Sequence, residues 1–384
     1  MSRIVLGLSN QYDVLVAGDF CPFDAVANAH LKIDATLLAF SQRAKIRVFN
    51  LECPLTNSTR VIAKTGPALR SDPKAINLLR SFGVDFCDLA NNHSMDYGFS
   101  GAADTQNHLR EAGIEYAGIS DDPSEDVVVM DCGGHKVAFV SFTENEFSTL
   151  PENGIASTPL DHYIQLKQIQ KAKEAADFII ILYHGGAELY PLPTPEQQRY
   201  AHYLADLGAS VVICHHSHCI SGYEVYRDVP IFYGLGNFYF PEKGNPDTWY
   251  RGLTLGISFG PELTVNIVPV RLDLTGMTVS LDLREDINNE LCQYNEVISS
   301  QSSLKQAWLD FCREKEFSTL SSVYNPPRLV RALIKRKVIG NYLWRKINLR
   351  LLNILRCETH REKLITTVKY ILDKHDENID RKDE

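Results

Sequence analysis

No run of about 18 apolar residues occurs anywhere in the 384-residue chain, so the sequence offers no membrane-spanning helix. The N-terminal stretch "MSRIVLGLSNQYDVLVAGDF" has no basic segment ahead of its apolar pieces and no small-residue cleavage site. Asn10, Gln11, Tyr12 and Asp13 interrupt it, and a secretory signal is not expected. Paired CxxC spacing is missing too. The nine cysteines are scattered and odd in number, which fits a reduced, cytoplasmic chain. Basic charge is not in excess: the net charge of −9 argues against nonspecific nucleic-acid binding. No internal repeat is visible. Histidine is scarce, with 12 in the whole chain, and that scarcity sets apart "VVICHHSHCISGYEVY", where His215, His216 and His218 crowd the end of an apolar run.

What is present is ordinary for a globular protein, with 44% hydrophobic and 23% charged residues and length enough for about two domains. From Tyr12 to about Asp282, short β-branched runs alternate with helical patterns. "YDVLVAG", "IRVFNLE", "VDFCDLANN", "KVAFVSFT", "DFIIILYHGG", "ASVVICHH" and "VPIFYGLGNF" read as strands. "DPKAINLLRSFG", "GAADTQNHLREAG" and "PEQQRYAHYLADLG" read as helices with Asp or Pro near the start and Gly after the end. This alternation predicts an α/β sandwich. Near Gly252 the rhythm turns to "LTLGISF", "LTVNIVPVRLD" and "TVSLDL", expected as antiparallel strands closing a domain over residues 1–283. Residues 284–384 are expected to form a helical C-terminal region. Within it, residues 328–356 hold nine Lys or Arg and no Asp or Glu at amphipathic spacing, with Gly340 and Asn341 dividing two helices. Two readings stand for that segment: packing against the body with a solvated basic face, or peripheral contact with anionic lipid or an acidic partner at the inner face of the membrane.

Five stretches put metal-type ligands at predicted strand ends: "AGDF" with Asp19, "FNLECPLT" with Asn50 and Glu52, "LANNHSMDYG" with Asn91, Asn92, His93 and Asp96, "LYHGGAE" with His184 and Glu188, and "CHHSH". One strand-end Asp or His is commonly a cap. Five together matter because strand ends in an α/β fold converge on one crevice. Carboxylates with imidazoles suit a pair of divalent ions such as Mn, Zn or Fe. In an extended segment His216 and His218 project to one side and His215 to the other, making the first two the expected ligands and His215 a supporting or packing residue. Arg70 either binds an anionic substrate through its guanidinium fork or pairs with Asp72. Asn237, after two glycines, either bridges to the site or shapes a turn. Glu188 and Tyr190 are expected to line the pocket.

The runs "NLECPLT", "LANNHSMDYG", "PTPEQQRYAHYLADLGASVVICHHSH", "YGLGNF" and "VPVRLD", in this order, resemble the CapA family of poly-γ-glutamate and capsule biosynthesis proteins, whose fold is like that of calcineurin-like metallophosphatases. The resemblance runs from Gly18 to about Leu272. It implies Glu52 as a carboxylate bridging two ions, Asp19 and His218 as ligands of one, and Asn92, His184 and His216 as ligands of the other. His93 resembles the histidine that protonates a leaving oxygen, with Asp96 to orient it. Metallophosphatases usually begin with Asp-x-His, whereas Cys21 stands two positions after Asp19, either as a thiolate ligand or as a non-ligand. Cys214 replaces a common glycine, and the N-terminal membrane anchor of many relatives is not seen. The implied activity is a metal-dependent hydrolase or transferase acting on a phosphoester or an anionic polymer precursor. The alternative is a noncatalytic accessory protein that keeps the fold and binds polymer or a membrane synthase.

Overall fold

The computed structural model describes residues 2–9, 11–23, 32–284, 286–315, 319 and 341–383. At its centre the strand Tyr12–Phe20 lies parallel to Ala44–Leu51, which lies parallel to Phe86–Asp88. On its other side Tyr12–Phe20 pairs antiparallel with Arg251–Ser258, followed by antiparallel Leu263–Asp273 and Thr278–Leu281, as the change of rhythm near Gly252 predicts. A second sheet runs parallel through Lys136–Thr143, Phe178–His184, Val211–His215 and Val229–Phe232.

The strand alternation explains the layering. Val14, Val16, Ile46 and Val48 turn one way and pack with Phe139, Ile180, Leu182, Val211 and Ile213 of the second sheet. Leu15, Ala17, Phe49 and Leu51 turn the other way, against Leu79, Phe82, Ala102 and Leu109 of the helices Ile76–Phe82 and Gly98–Ala112. The second sheet buries its outer face under helices His162–Ala175 and Pro195–Leu207. Strands covered on both faces read as continuous apolar runs, and "DFIIILYH" and "ASVVICH" are such runs. The protein is an α/β sandwich with C-terminal helices.

One expected strand divides in two. "VPIFYGLGNF" yields Val229–Phe232 in the second sheet and Asn237–Tyr239 beside Tyr12–Phe20 in the first. The glycines make this crossing feasible. A Cβ on Gly18 would sit 2.2 Å from Gly236 O, so a bare Gly18 lets Asp19 N donate to Gly236 O at 2.9 Å, while Gly236 takes φ 64° and a Cβ there would sit 2.5 Å from Arg251 O.

Beyond Leu283 come the helices Asp286–Ile298, Gln301–Glu314, Asn341–Arg356 and Glu358–Asp383. Trp308 and Cys312 pack on Tyr190 of the body, and Trp308 Nε1 donates to Thr366 Oγ1 at 3.3 Å. Residues 328–340 of the basic segment lie outside the described residues. The helix Asn341–Arg356 exposes Arg345, Lys346 and Arg350 with Leu351, Leu352 and Leu355, and the expected break at Gly340 and Asn341 falls at the edge of the described residues. Among the described residues no helix is long and apolar enough to cross a membrane.

Candidate metal centre

The parallel strands of both sheets end at the same rim, and their last residues meet there. Asp19 closes one strand of the first sheet, with Asn50 and Glu52 at the end of its neighbour. His184 and His215 end adjacent strands of the second and are paired in register. All are buried.

Glu52 sits in the middle. Ligand atoms of Glu52, His184 and His216 lie within 4.8 Å of one another, and so do those of Asp19, Glu52 and His218. A third group joins Glu188 to His216 and His218. Glu52 Oε1 is 3.6 Å from His184 Nε2 and 3.5 Å from His218 Nε2, yet neither carboxylate oxygen of Glu52 has a hydrogen-bond partner. Buried carboxylates are ordinarily bonded or paired. A carboxylate without donors, ringed by imidazoles, fits a site for divalent cations. Asn92 Oδ1 lies 3.1 Å from His184 Nε2, and His216 Nδ1 also lies 3.1 Å from that nitrogen.

Around this centre the chain supplies orienting contacts. Asn50 Nδ2 donates to Asp19 Oδ1 at 2.7 Å and approaches His184 Nδ1 at 3.1 Å. Asn91 Nδ2 donates to Asn50 Oδ1 at 3.1 Å. Asn237 Oδ1 lies 3.0 Å from His218 Nδ1, while its Nδ2 donates to Trp249 O. The expected bridge from Asn237 therefore runs to a histidine ring.

The reason expected for the His216 and His218 placement does not hold. The strand stops at His215, and His216 (φ 88°) and His218 (φ 52°) adopt left-handed backbone, so alternation along an extended segment is not what aims them. Both still reach the cluster. The tight turn also lets His216 N donate to Asp19 Oδ2 at 3.3 Å. His215 points to the site rather than away from it, with Nδ1 3.1 Å from Asp19 Oδ1.

His93 Nδ1 is 2.7 Å from Asp96 Oδ2, and Leu69 N donates to the same oxygen at 2.7 Å. A residue not singled out from sequence completes this pair: Lys64 is ion-paired with Asp96 and holds Nζ 3.3 Å from His93 Nδ1. Arg70 has other partners. Its guanidinium donates to the carbonyls of Asn57 and Ser58 and lies over the Tyr97 ring, 5.2 Å from the centroid, while Asp72 accepts from Lys74 N. Glu188 is solvent-exposed beside His216 and His218. Tyr190 is drawn into the packing of Trp308 and Phe311. Cys21 packs with Cys53, Phe240 and Trp249, and burial with the neighbouring Cys53 pushes its thiol well above the ordinary range. That is the setting of a non-ligand thiol.

The electrostatics follow from burial and crowding. Burial pushes the Glu52 carboxyl well above its usual value. Burial also opposes charge on Asp19, but hydrogen bonds from His215 and His218 outweigh it and hold that carboxyl well below the usual range. Burial alone would depress His218, yet Glu52 and Asp19 hold it up to about 10. His184 is driven down by burial and by His216, and His93 by burial and Lys64 against the pull of Asp96.

Residues 14–242 match the family model described as "Bacterial capsule synthesis protein PGA_cap". The Capsule biosynthesis protein CapA of Bacillus anthracis is 32% identical over 184 residues, covering 45% of this chain and 44% of that protein. A Mycobacterium tuberculosis protein named "Probable polyglutamine synthesis accessory protein" is 26% identical over 251 residues, covering 62% of this chain and 64% of that one. The chain thus spans about half the length of the first relative and less than two thirds of the second. The 5'-nucleotidase of Candida albicans SC5314 aligns with 81% of this chain and 60% of its own at 9% identity and a TM-score of 0.40, a likeness too remote to bear on residue roles. Because the family match takes in more than half of the 384 residues, the chain belongs to the bacterial capsule synthesis protein PGA_cap family.

Proposed function

We propose that the protein is a metal-dependent hydrolase of the phosphoesterase type, acting on a phosphoester or an anionic polymer precursor in capsule or poly-γ-glutamate synthesis. The observation that carries this reading is Glu52, a buried carboxylate without hydrogen-bond donors that is shared by two groups of ligand atoms. Asp19, Glu52 and His218 would hold one divalent ion, and Glu52, Asn92, His184 and His216 the other, with Mn, Zn or Fe as the metals this donor set suits. Two such ions, when bound, supply Lewis-acid stabilisation of charge on the attacking and leaving oxygens of a displacement. The chain's own residues do the rest. Asp96 holds His93 by Nδ1, which frees Nε2 to exchange a proton with a substrate oxygen. Lys64 pairs with Asp96 and keeps it in place. His215 and Asn50 orient Asp19, and Asn237 orients His218. Glu188, exposed at the rim, is available to an entering substrate.

The noncatalytic reading has its own support. One relative is named as an accessory protein, and no imidazole takes the place of Cys21. In that case the basic helix Asn341–Arg356, with exposed Leu351, Leu352 and Leu355, would make the peripheral contact with a membrane or its synthase. One experiment separates the two. Metal content is measured on protein purified without chelator, together with turnover on a panel of phosphoesters and γ-glutamyl polymers. Two equivalents of metal with turnover of any panel member support the hydrolase. Metal-free protein with no turnover after Mn, Zn or Fe loading sinks it, and salt-sensitive vesicle binding by that same protein would favour the accessory role.

A further inference from the structure

We propose that Glu144 is a positioning residue for His184, and that the C-terminal helix Glu358–Asp383 holds Glu144 in place, so that part of the chain beyond residues 14–242 completes the metal centre. The proposal rests on the reading of His184 as a metal ligand.

Glu144 follows the strand Lys136–Thr143 and is 3% exposed. Its carboxylate is fully engaged. Oε1 accepts from Tyr183 OH (3.1 Å), Gly186 N (3.2 Å) and Thr359 Oγ1 (2.6 Å), and Oε2 accepts from Cys357 Sγ (3.1 Å) and Thr359 N (3.3 Å). Two of these five donors flank His184, and three come from Thr359 in the first turn of the C-terminal helix and Cys357 just before it. The backbone repeats the link, because Glu144 N donates to His184 O at 3.0 Å and Thr143 Oγ1 to the same carbonyl at 3.1 Å. The chain after His184 is moulded around this carboxylate. A Cβ on Gly185 would lie 2.7 Å from Glu144 Cγ, and Gly186 takes φ 111°.

A reciprocal pair locks the junction. Glu144 of the body accepts from the first turn of the helix, a placement the helix dipole favours, while Glu358 of the helix accepts from Asn145 N (2.9 Å) and Asn145 Nδ2 (3.0 Å). Without the helix, Glu144 would keep two of five donors. A buried carboxylate so depleted turns toward water, and Gly186 N and Tyr183 OH lose their acceptor on either side of His184. Groups that orient a ligand in this way typically control metal affinity by 10–100-fold.

The test uses the full chain with Thr359→Val, Thr359→Ser and Glu144→Gln, each stripped with chelator and titrated with Mn2+. Amide hydrogen exchange at Gly185 and Gly186 is followed in parallel. Thr359→Val is expected to weaken uptake of one Mn2+ about 10-fold and to speed exchange at Gly186. Thr359→Ser, which keeps the hydroxyl, should restore both, and thermal melting identifies any variant that does not fold. Unchanged Mn2+ affinity in both Thr359→Val and Glu144→Gln, with normal binding by the wild type, would overturn the coupling alone. A wild-type protein that takes up no divalent metal would overturn the ligand reading on which it rests.

Discussion

Glu52 and Glu144 are both buried carboxylates at the same rim of the sandwich, 0% and 3% exposed, and their surroundings are opposite. Glu144 receives five donors from two parts of the chain, whereas Glu52 receives none and has imidazole nitrogens at 3.5 and 3.6 Å. An unsatisfied buried carboxylate costs free energy, and one satisfied by several donors repays its desolvation. The difference sets apart two residues of one type: the Glu144 carboxylate is satisfied by the chain itself, and the Glu52 carboxylate is left without donors, as the proposed cation site would require.

The largest effect should come from reversing that contrast. Glu52→Gln is expected to abolish metal binding and with it turnover. In chelator-treated protein it should raise unfolding stability by about 1–3 kcal/mol, because a buried carboxyl without donors, which burial already drives toward its neutral form, gives way to a neutral amide. Glu144→Gln should lower stability by a similar amount, since a donor-rich carboxylate is lost. Denaturant titration of both variants without metal decides it, and equal destabilisation by the two would end the comparison.

Next in size is the division between holding metal and moving protons. His93→Ala should leave metal content intact and lower turnover by about 10²–10⁴-fold, while His216→Ala should lose metal. If His93→Ala were as depleted of metal as His216→Ala, His93 would belong to the coordination sphere and its proton role would be abandoned.

Much of this centre was legible before the fold. Strand-end placement brought Asp19, Glu52, Asn92, His184, His216 and His218 to one crevice, because parallel strands share one C-terminal rim. His93 and Asp96, three residues apart, were readable as a pair. Left-handed backbone at His216 and His218 breaks the extended geometry expected of them, and His215, still within the strand, meets Asp19 instead of pointing away. The run from Val229 to Phe238 hid a crossing between sheets, which only the Gly18–Gly236 approach reveals. Lys64 meets Asp96 across 32 positions from a segment without periodic signal, and Thr359 meets Glu144 across 215. No local pattern encodes contacts of that kind.

A third carboxylate stands between the two extremes. Glu362 accepts from Glu196 N at 3.2 Å through Oε1, while Oε2 has no partner. Burial, with Glu196 and Glu144 adding repulsion, pushes it up to about 7 from 4.5. A raised carboxyl binds its proton more tightly in the folded state, so its contribution to stability is fully present below about pH 4.5 and is lost as pH rises through about 7. The loss amounts to roughly 3 kcal/mol. Glu362→Gln should flatten this part of the stability profile and gain on the wild type at pH 8 relative to pH 5. Parallel profiles for the two proteins would show that Glu362 is paired in solution and belongs with Glu144.

The smallest effect is expected at Lys64, and it probes whether donors can serve the metal centre without touching it. Lys64 is ion-paired with Asp96, its side chain is 6% exposed, and its Nζ is 3.4 Å from Asn92 O. Lys64→Met keeps the length of the side chain and removes the charge. Asp96 would retain Leu69 N and His93 Nδ1 as donors, so the carboxylate loosens without being orphaned, and the expected loss is about 10-fold in kcat, or about 1.4 kcal/mol, with KM and metal content unchanged. The decisive measurement is the same substitution in the His93→Ala background. If Lys64 acts by holding Asp96 against His93, it should cost almost nothing there, because residues acting through one another are non-additive. A full 10-fold loss in both backgrounds would mean that Lys64 meets the substrate directly.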